Sequence, residues 1–343
     1  MTVVRLGSLP KMHDKIVVIA HRRDFDGISS AAQIIRRYRN SVKKVIFTNY
    51  DKKTFGNMTT ELVASKPNGS TIILADLSAQ DDRVKHVTRI FKKLKAHGNS
   101  IIWLDHHPWS PYAIDKISKS VDFMIAGENK DHCGAELVFI ELCKDDATCK
   151  KLSELAHITD FNLPARGKVE GRALERISNV ITYLDNDSKG TYHKIIKVTK
   201  EVSAGELYGK EAQRAYKEYK VNERKDLKLL KKTARFIKSN DYTIGIAFAH
   251  NMESNTACSK IREMTGAEIC IFVTTKDGTA HVRSIDGIDC SILSKQLGGG
   301  GHPQASGFSV SMAKFKNFGP DGQKRYVDMV RNGAAKAYKT RFT

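Results

Sequence analysis

From Lys15 to Gly127 the chain alternates short, unbroken apolar runs with polar stretches of helix length. The runs cover residues 16–20, 45–47, 71–75, 101–104 and 123–126. Each is continuously apolar rather than alternating, the pattern of a strand covered on both faces. Residues 27–38 and 81–97 read as helices, the second stopped by Gly98 as a C-cap. Strand and helix in repeated succession predict an α/β fold: a parallel sheet flanked by helices.

The residues just past these runs are the informative ones. The first run delivers His21, Asp24 and Asp26, followed by Gly27; the third delivers Asp76; the fourth delivers Asp105, His106 and His107. In an open parallel sheet, the loops beyond the strand carboxyl ends share one crevice. Asp160, after an apolar helical segment, is a further candidate. Carboxylates crowded together repel and take up protons unless cations are present. Oxygen and imidazole donors without a nearby thiolate suit Mn²⁺, with Mg²⁺ as the alternative, better than a structural Zn²⁺. Two such ions about 3.5–4 Å apart can serve a phosphoryl transition state. Taken singly, an Asp at a strand end is an ordinary helix N-cap, Asp24 and Asp26 form a turn, and His106 with His107 packs. The convergence of three distant segments outweighs these readings.

Further along, residues 135–160 read as helical, with Leu137, Ile140, Leu152, Leu155 and Ile158 as core positions, and 171–184 as another helix. Residues 211–238 are dense in Lys, Arg and Glu and lack Gly and Pro. Ala212, Tyr216, Tyr219, Leu227, Leu230, Ala234 and Ile237 trace a helical stripe through them, so a long charged helix joining two domains is expected. Residues 242–249, 269–275 and 279–285 read as strands, with a turn at 276–278 making a hairpin of the last two. Gly298, Gly299, Gly300, Gly301 and His302 follow, then a strand at 305–310. Exposed glycine amides, the His302 imidazole and the Arg283 guanidinium together would make an anion cradle; a glycine run alone is equally a flexible turn. The expected organisation is a metal-binding domain over 1–190, a helical linker over 191–240 and a smaller α/β domain over 241–343.

A chain of 343 residues is the length of about two domains. Lys and Arg number 57 against 38 Asp and Glu, a net charge of +19. That excess favours polyanionic partners, nucleic acid first, with solubility as the plainer explanation. The six cysteines include no CxxC pair, which suggests free thiols in a reducing compartment. No run approaches the ~20 apolar residues that span a bilayer, and no signal core opens the chain. A cytoplasmic protein without a membrane partner is expected; nothing in the sequence fixes an oligomeric state.

These residues resemble the DHH/DHHA1 phosphoesterase family, which includes RecJ-like exonucleases and NrnA-like oligoribonucleases. The segment from His21 through Asp24 and Asp26 to Gly27 is similar to its first motif, H-x-x-D-x-D-G. Asp76 stands for the second motif, Asp105-His106-His107 for the name-giving triplet, and Asp160 for the fourth. Gly298 to His302 with Ala305, Ser306, Gly307 and Phe308 is similar to the DHHA1 signature G-G-G-G-H-x-x-A-x-G-F. The resemblance implies a DHH domain and a DHHA1 domain. It implies that His21, Asp24 and Asp76 hold one metal ion, and that Asp26, Asp76, His106 and Asp160 hold a second. His107 would contact the scissile phosphate, with Asp105 orienting an imidazole. Arg283, the glycine amides and His302 would bind the phosphate or nucleotide end from the second domain. The expected activity is Mn²⁺-dependent hydrolysis of short RNA or single-stranded DNA. A cyclic-dinucleotide phosphodiesterase or adenosine bisphosphate phosphatase is the rival enzyme, and an inactive RecJ-like replication scaffold is the rival of another class. An inorganic pyrophosphatase shares a similar first domain, but the four-glycine motif speaks against it.

Overall fold

The computed structural model describes residues 3–161, 163–185, 189–250 and 252–342. By internal contacts the chain divides into two compact units, Met1–Tyr216 and Lys217–Thr343.

The first unit runs β1 (Val4–Gly7), β2 (Ile16–His21), α1 (Phe25–Tyr38), β3 (Val42–Thr48), α2 (Lys52–Ala64), β4 (Thr71–Ala75), α3 (Asp81–Ala96), β5 (Ser100–Leu104), α4 (Pro111–Ser118), β6 (Phe123–Ala126), α5 (Gly134–Val138), α6 (Ala147–Asp160), α7 (Lys168–Leu184) and α8 (Lys189–Ser203). The sheet order is β1-β6-β5-β4-β2-β3. All five apolar runs are strands, and they pair in parallel. An antiparallel edge strand, β1, lies on β6 and carries no apolar run to announce it. Two apolar layers cover the sheet. One joins α1, α5, α6, α7 and α8 to residues such as Val18, Ile73 and Ile102. The other joins α2, α3 and α4 to Ile19, Leu74 and Trp103. This double burial is why the strands read as continuous rather than alternating.

Register places the site. Ala20 lies opposite Ala75, and Ala75 opposite Leu104. The residues that follow, His21, Asp76 and Asp105, therefore leave three neighbouring strands at the same level. The ladder extends one step further, since Asp76 N donates to Leu104 O at 2.9 Å and Asp105 N to Ile125 O at 2.9 Å.

The expected helix at 135–160 is interrupted. A π-helical turn at Phe139–Cys143 separates α5 from α6, which rotates Ile140 out to 42% exposure while Leu137, Leu152 and Leu155 stay buried. Ile158 is only partly buried against the same layer.

Helix α9 (Lys210–Thr233) carries the boundary between the units. Ala212, Ala215 and Tyr216 pack with the first unit, and Leu227 and Leu230 with the second. It ends five residues before the expected terminus at 238. Thr233 Oγ1 bonds Leu229 O at 2.8 Å and Phe248 O at 2.9 Å, and accepts from Phe248 N at 3.0 Å. A threonine that bonds back to its own helix and across to a strand hands the chain over. Ile237 is accordingly a buried residue of β7 (Arg235–Lys238), not of the helix.

The second unit continues β8 (Thr243–Ala249), α10 (Ser254–Thr265), β9 (Ile269–Thr274), β10 (Thr279–Ser284), α11 (Ser291–Gln296), β11 (Gly300–Gly301), β12 (Ala305–Ser309) and α12 (Pro320–Tyr338). Its sheet order is β11-β12-β10-β9-β8-β7. Strands β8 and β9 are parallel across α10, and β9 with β10 forms the expected hairpin. All six cysteines are buried and without disulfides. Among the described residues, no helix is long and apolar enough to cross a membrane.

Candidate metal centre

Three strand ends and two helix termini build one cluster. His21 is the last residue of β2 and 4% exposed. Asp24 is the N-cap of α1, its Oδ1 accepting from Gly27 N at 3.1 Å. Asp26 lies in the first turn of α1 and is 1% exposed. Its two oxygens accept from Gly134 N at 2.8 Å and Ala135 N at 2.6 Å, the opening amides of α5. These orphan donors are available because a helix leaves its first N–H groups unpaired. Gly134 is required there: a Cβ would lie 2.8 Å from Asp76 Cβ and 3.0 Å from Asp26 Oδ2.

Asp76 is the centre of the arrangement. Its backbone is in the left-handed region, with φ of 56°, which Asp tolerates better than most side chains. Oδ2 approaches His21 Nδ1 at 3.5 Å, while Oδ1 approaches His106 Nε2 at 3.4 Å and His107 Nδ1 at 3.7 Å. His21 Nδ1 is 3.0 Å from Asp24 Oδ2. His106 Nε2 is 3.5 Å from Asp26 Oδ2 and 3.8 Å from Asp160 Oδ2, at the end of α6. Asp160 therefore joins the cluster despite its distance in sequence.

Asp105 is fully buried and belongs to none of the groups of converging donor atoms. Its oxygens bond His107 Nδ1 at 2.9 Å and accept from Trp109 Nε1 at 2.6 Å. The His107 ring is held by this carboxylate, with about a third of its side chain exposed.

The charges are arranged under tension. Burial, then Asp76 and Asp160, push the Asp26 carboxyl well above the usual range. Burial also raises Asp160, which His106 pulls down and Asp76 pushes up, to about 6. Burial opposes protonation of His21, but Asp24 and Asp76 outweigh it and raise the imidazole to about 10. His106 is raised to about 10 against its own burial by Asp76 and Asp26. The carboxylates thus favour positive charge at the positions of both imidazoles.

The donor set fits divalent metal. Both His21 nitrogens, His106 Nε2 and both Asp76 oxygens are buried without a hydrogen-bond partner, a condition that costs about 1–3 kcal/mol per group if nothing else binds them. Donor atoms of His21, Asp24 and Asp76 converge within 4.8 Å of one another, as do those of Asp26, His106 and Asp160, and those of Asp76, His106 and His107.

Tyr50 is a neighbour that the residue types did not flag. Its hydroxyl donates to Asp76 O at 3.2 Å and lies 3.2 Å from His107 Nε2, and its ring packs 4.4 Å from the His21 ring. The acid that follows the strand before it, Asp51, caps α2 through Lys53 N and Thr54 N instead of joining the cluster. Arg83 fixes it from behind by donating to Tyr50 O. Trp109 was likewise unmarked, although it follows His107 by two residues.

The remaining expected residues lie in the second unit. Arg283, in β10, donates from Nε to Asn255 Oδ1 at 2.7 Å, from Nη2 to Ser254 Oγ at 3.0 Å and from Nη1 to Val282 O at 3.0 Å. It faces Ala305 of β12 across the ladder. His302 is exposed and closes a turn, exchanging backbone bonds with Ala305 at 2.9 and 3.2 Å. Within the glycine run the needs differ. A Cβ on Gly299 would meet Gly307 O at 2.0 Å and one on Gly301 would meet Ser306 Cα at 2.6 Å, whereas Gly300 has open space. Close approach of β11 to β12 thus explains two of the four.

Residues 15–165 match the DHH family, N-terminal domain, and residues 241–319 match the DHHA1 domain. No curated protein matches the chain. Among solved structures, the chain is similar to an exonuclease RecJ bound to manganese, at 15% identity and a TM-score of 0.53, covering 91% of this chain and 90% of that one. It is also similar to PggH, a pGpG-specific phosphodiesterase from Vibrio cholerae, at 12% identity and a TM-score of 0.52, covering 94% and 99%.

Proposed function

Because this chain belongs to the DHH/DHHA1 family of phosphoesterases, we propose that it is a Mn²⁺-dependent phosphodiesterase that degrades short RNA or single-stranded DNA. The observation that carries this reading is Asp76, whose two oxygens face different histidine groups from the middle of the cluster. His21, Asp24 and Asp76 would hold one ion, and Asp76, Asp26, His106 and Asp160 the other. When bound, such a pair supplies Lewis acidity to the phosphate and the attacking water. Four carboxylates nearly neutralise two divalent ions, so the substrate phosphate needs further positive partners. His107 meets that need: Asp105 raises its basicity against its burial, and its partly exposed ring can donate to a phosphate oxygen. Asp105, itself held ionised by His107 and Trp109 against its burial, fixes the ring. In the second unit, Arg283, Gly298, Gly299, Gly300, Gly301 and His302 would bind the phosphate or nucleotide end. Three of the five N–H groups of Arg283 are engaged, leaving two for an anion. The +19 charge supports a polyanionic substrate.

The test incubates purified protein and Mn²⁺ with end-labelled 3-mer and 24-mer RNA and DNA, a cyclic dinucleotide and adenosine 3′,5′-bisphosphate. Stepwise shortening of an oligonucleotide is expected, abolished by chelator and restored best by Mn²⁺. Turnover confined to the cyclic dinucleotide or the bisphosphate would replace this reading. Turnover of nothing with any divalent ion would favour an inactive scaffold.

A further inference from the structure

The outer wall formed by α3 and α4 carries a second concentration of chemistry. On α3, Lys85, Arg89, Lys92 and Lys93 follow the i, i+4, i+7, i+8 spacing of one helix face, and all four are exposed. The opposite face of the same helix, Val84, Val87, Phe91 and Leu94, is buried against the sheet. Across from the basic stripe, α4 contributes Lys116 and Tyr112, the latter 38% exposed. Together they line a groove of about 530 Å³ without a single carboxylate among its lining residues. Lys116 is paired with Asp115 at 3.1 Å, outside the groove. Arg89 lies 3.2 Å from His86 Nδ1 rather than against a carboxylate. Among the described residues, Lys85, Lys92 and Lys93 form no ion pair. Like charges at i, i+4 on a helix destabilise it by a few tenths of a kcal/mol, so apart from Lys93, whose place in the last turn suits the helix dipole, helix stability does not explain this stripe. It suits a ligand with regularly spaced negative charge.

The groove is also placed to serve the metal centre. Helix α3 begins five residues after Asp76, and α4 begins four residues after His107. Both helices lead away from the edge of the sheet where the ligands gather. From Lys85 to Lys93 the helix rises about 12 Å, room for a few nucleotides. Tyr112 offers a ring face on which a base can stack. We propose that the α3–α4 groove is an accessory track for the backbone of single-stranded nucleic acid, giving longer substrates affinity that the shortest ones lack. This proposal rests on the nuclease reading of the metal centre.

Binding and turnover separate the two. In chelator, fluorescence anisotropy of a labelled 24-mer RNA compares the protein with a K85Q/R89Q/K92Q variant, whose melting temperature confirms folding. The variant should bind about tenfold or more weakly at 0.1 M salt, and the slope of log K against log salt should flatten by about 2, at roughly 0.7 per lost contact. With Mn²⁺, kcat/KM on a 3-mer should be unchanged. Equal 24-mer affinity and an equal salt slope overturn the track while leaving the nuclease reading intact. Loss of polyglutamate binding without loss of RNA binding overturns it in favour of an acidic protein partner. A wild-type protein that binds the 24-mer but cleaves no oligonucleotide overturns the nuclease reading, and with it any role of the groove in handling substrate.

Discussion

Asp76 combines a left-handed backbone, full burial and two unpartnered oxygens, so its substitution is the sharpest test of the centre. Asp76→Asn preserves shape but removes the charge that both histidine groups face. Bound metal should fall below two ions per chain and kcat/KM by at least about a hundredfold, since even the partners behind metal ligands are worth 10–100-fold. Two tightly held ions in that variant, by elemental analysis after desalting, would contradict the shared role. Tyr50→Phe is subtler. It keeps the ring against His21 and removes only the hydroxyl that braces Asp76 O and His107. A lost hydrogen bond of about 0.5–1.5 kcal/mol should lower kcat/KM about two- to tenfold with metal content intact, and should shift the pH profile of kcat. A drop in melting temperature alone, with unaltered kinetics, would make Tyr50 a packing residue. The acids and histidines could be read from residue type because ligand chemistry limits which side chains serve. Tyr50 could not, because an aromatic after a strand is also ordinary core, and only its contacts give it a role.

At the scale of elements, the parallel strands were legible because burial on both faces writes an unbroken apolar run. The edge strand β1 was not, since it has one neighbour and none of its four residues is buried, so it needs no apolar run. The helix boundary at Thr233 was hidden for another reason: the side-chain bonds that end α9 reach to β8, and no local pattern encodes them. Helix α5 shows how an element serves the site without contributing a ligand. Its first amides hold Asp26, and Gly134 makes room for them. Gly134→Ala should force Asp26 and Asp76 apart, costing about 1–3 kcal/mol as an overpacked core does. Metal content and melting temperature should fall together; a variant with normal metal content would mean the helix start yields easily. In the second unit, Arg283→Ala should reduce kcat/KM roughly ten- to a hundredfold, the loss of a charge-assisted contact of about 1.5–3 kcal/mol, while metal content stays unchanged. Loss of stability without any change in kinetics would assign Arg283 to holding the start of α10 through Asn255 and Ser254.

For the molecule as a whole, the titration of the centre couples to folding. His21 and His106 have folded pKa values near 10, above the ordinary imidazole value. Their contribution to the stability of metal-free protein is complete below about pH 6.5 and lost as pH rises through 10. Asp160, raised to about 6, adds a loss between its ordinary value and pH 6. Every one of these groups weakens the metal-free fold as pH increases, because deprotonation leaves uncompensated carboxylates. Divalent ions replace the departing protons. The gain in melting temperature on adding Mg²⁺ should therefore widen steadily from pH 6 to pH 9. A gain independent of pH would mean that the buried imidazoles are already neutral before metal arrives.

The two amide bonds that carry the ladder past the strand ends, from Asp76 to Leu104 and from Asp105 to Ile125, bear on how slowly the centre can come apart. Loops usually exchange their amide hydrogens by local opening, at small free energy. These two amides belong instead to the most deeply covered part of the sheet, and their deuterium uptake should track that of Ile73 and Ile102. Asp76, the ligand shared between the two groups, is thus tied to the sheet by its own backbone, and ions should enter and leave past the more exposed Asp24 and Asp160 rather than by lifting Asp76 from the ladder. The centre's half-life against chelation and its resistance to proteolysis should then be governed by separate barriers.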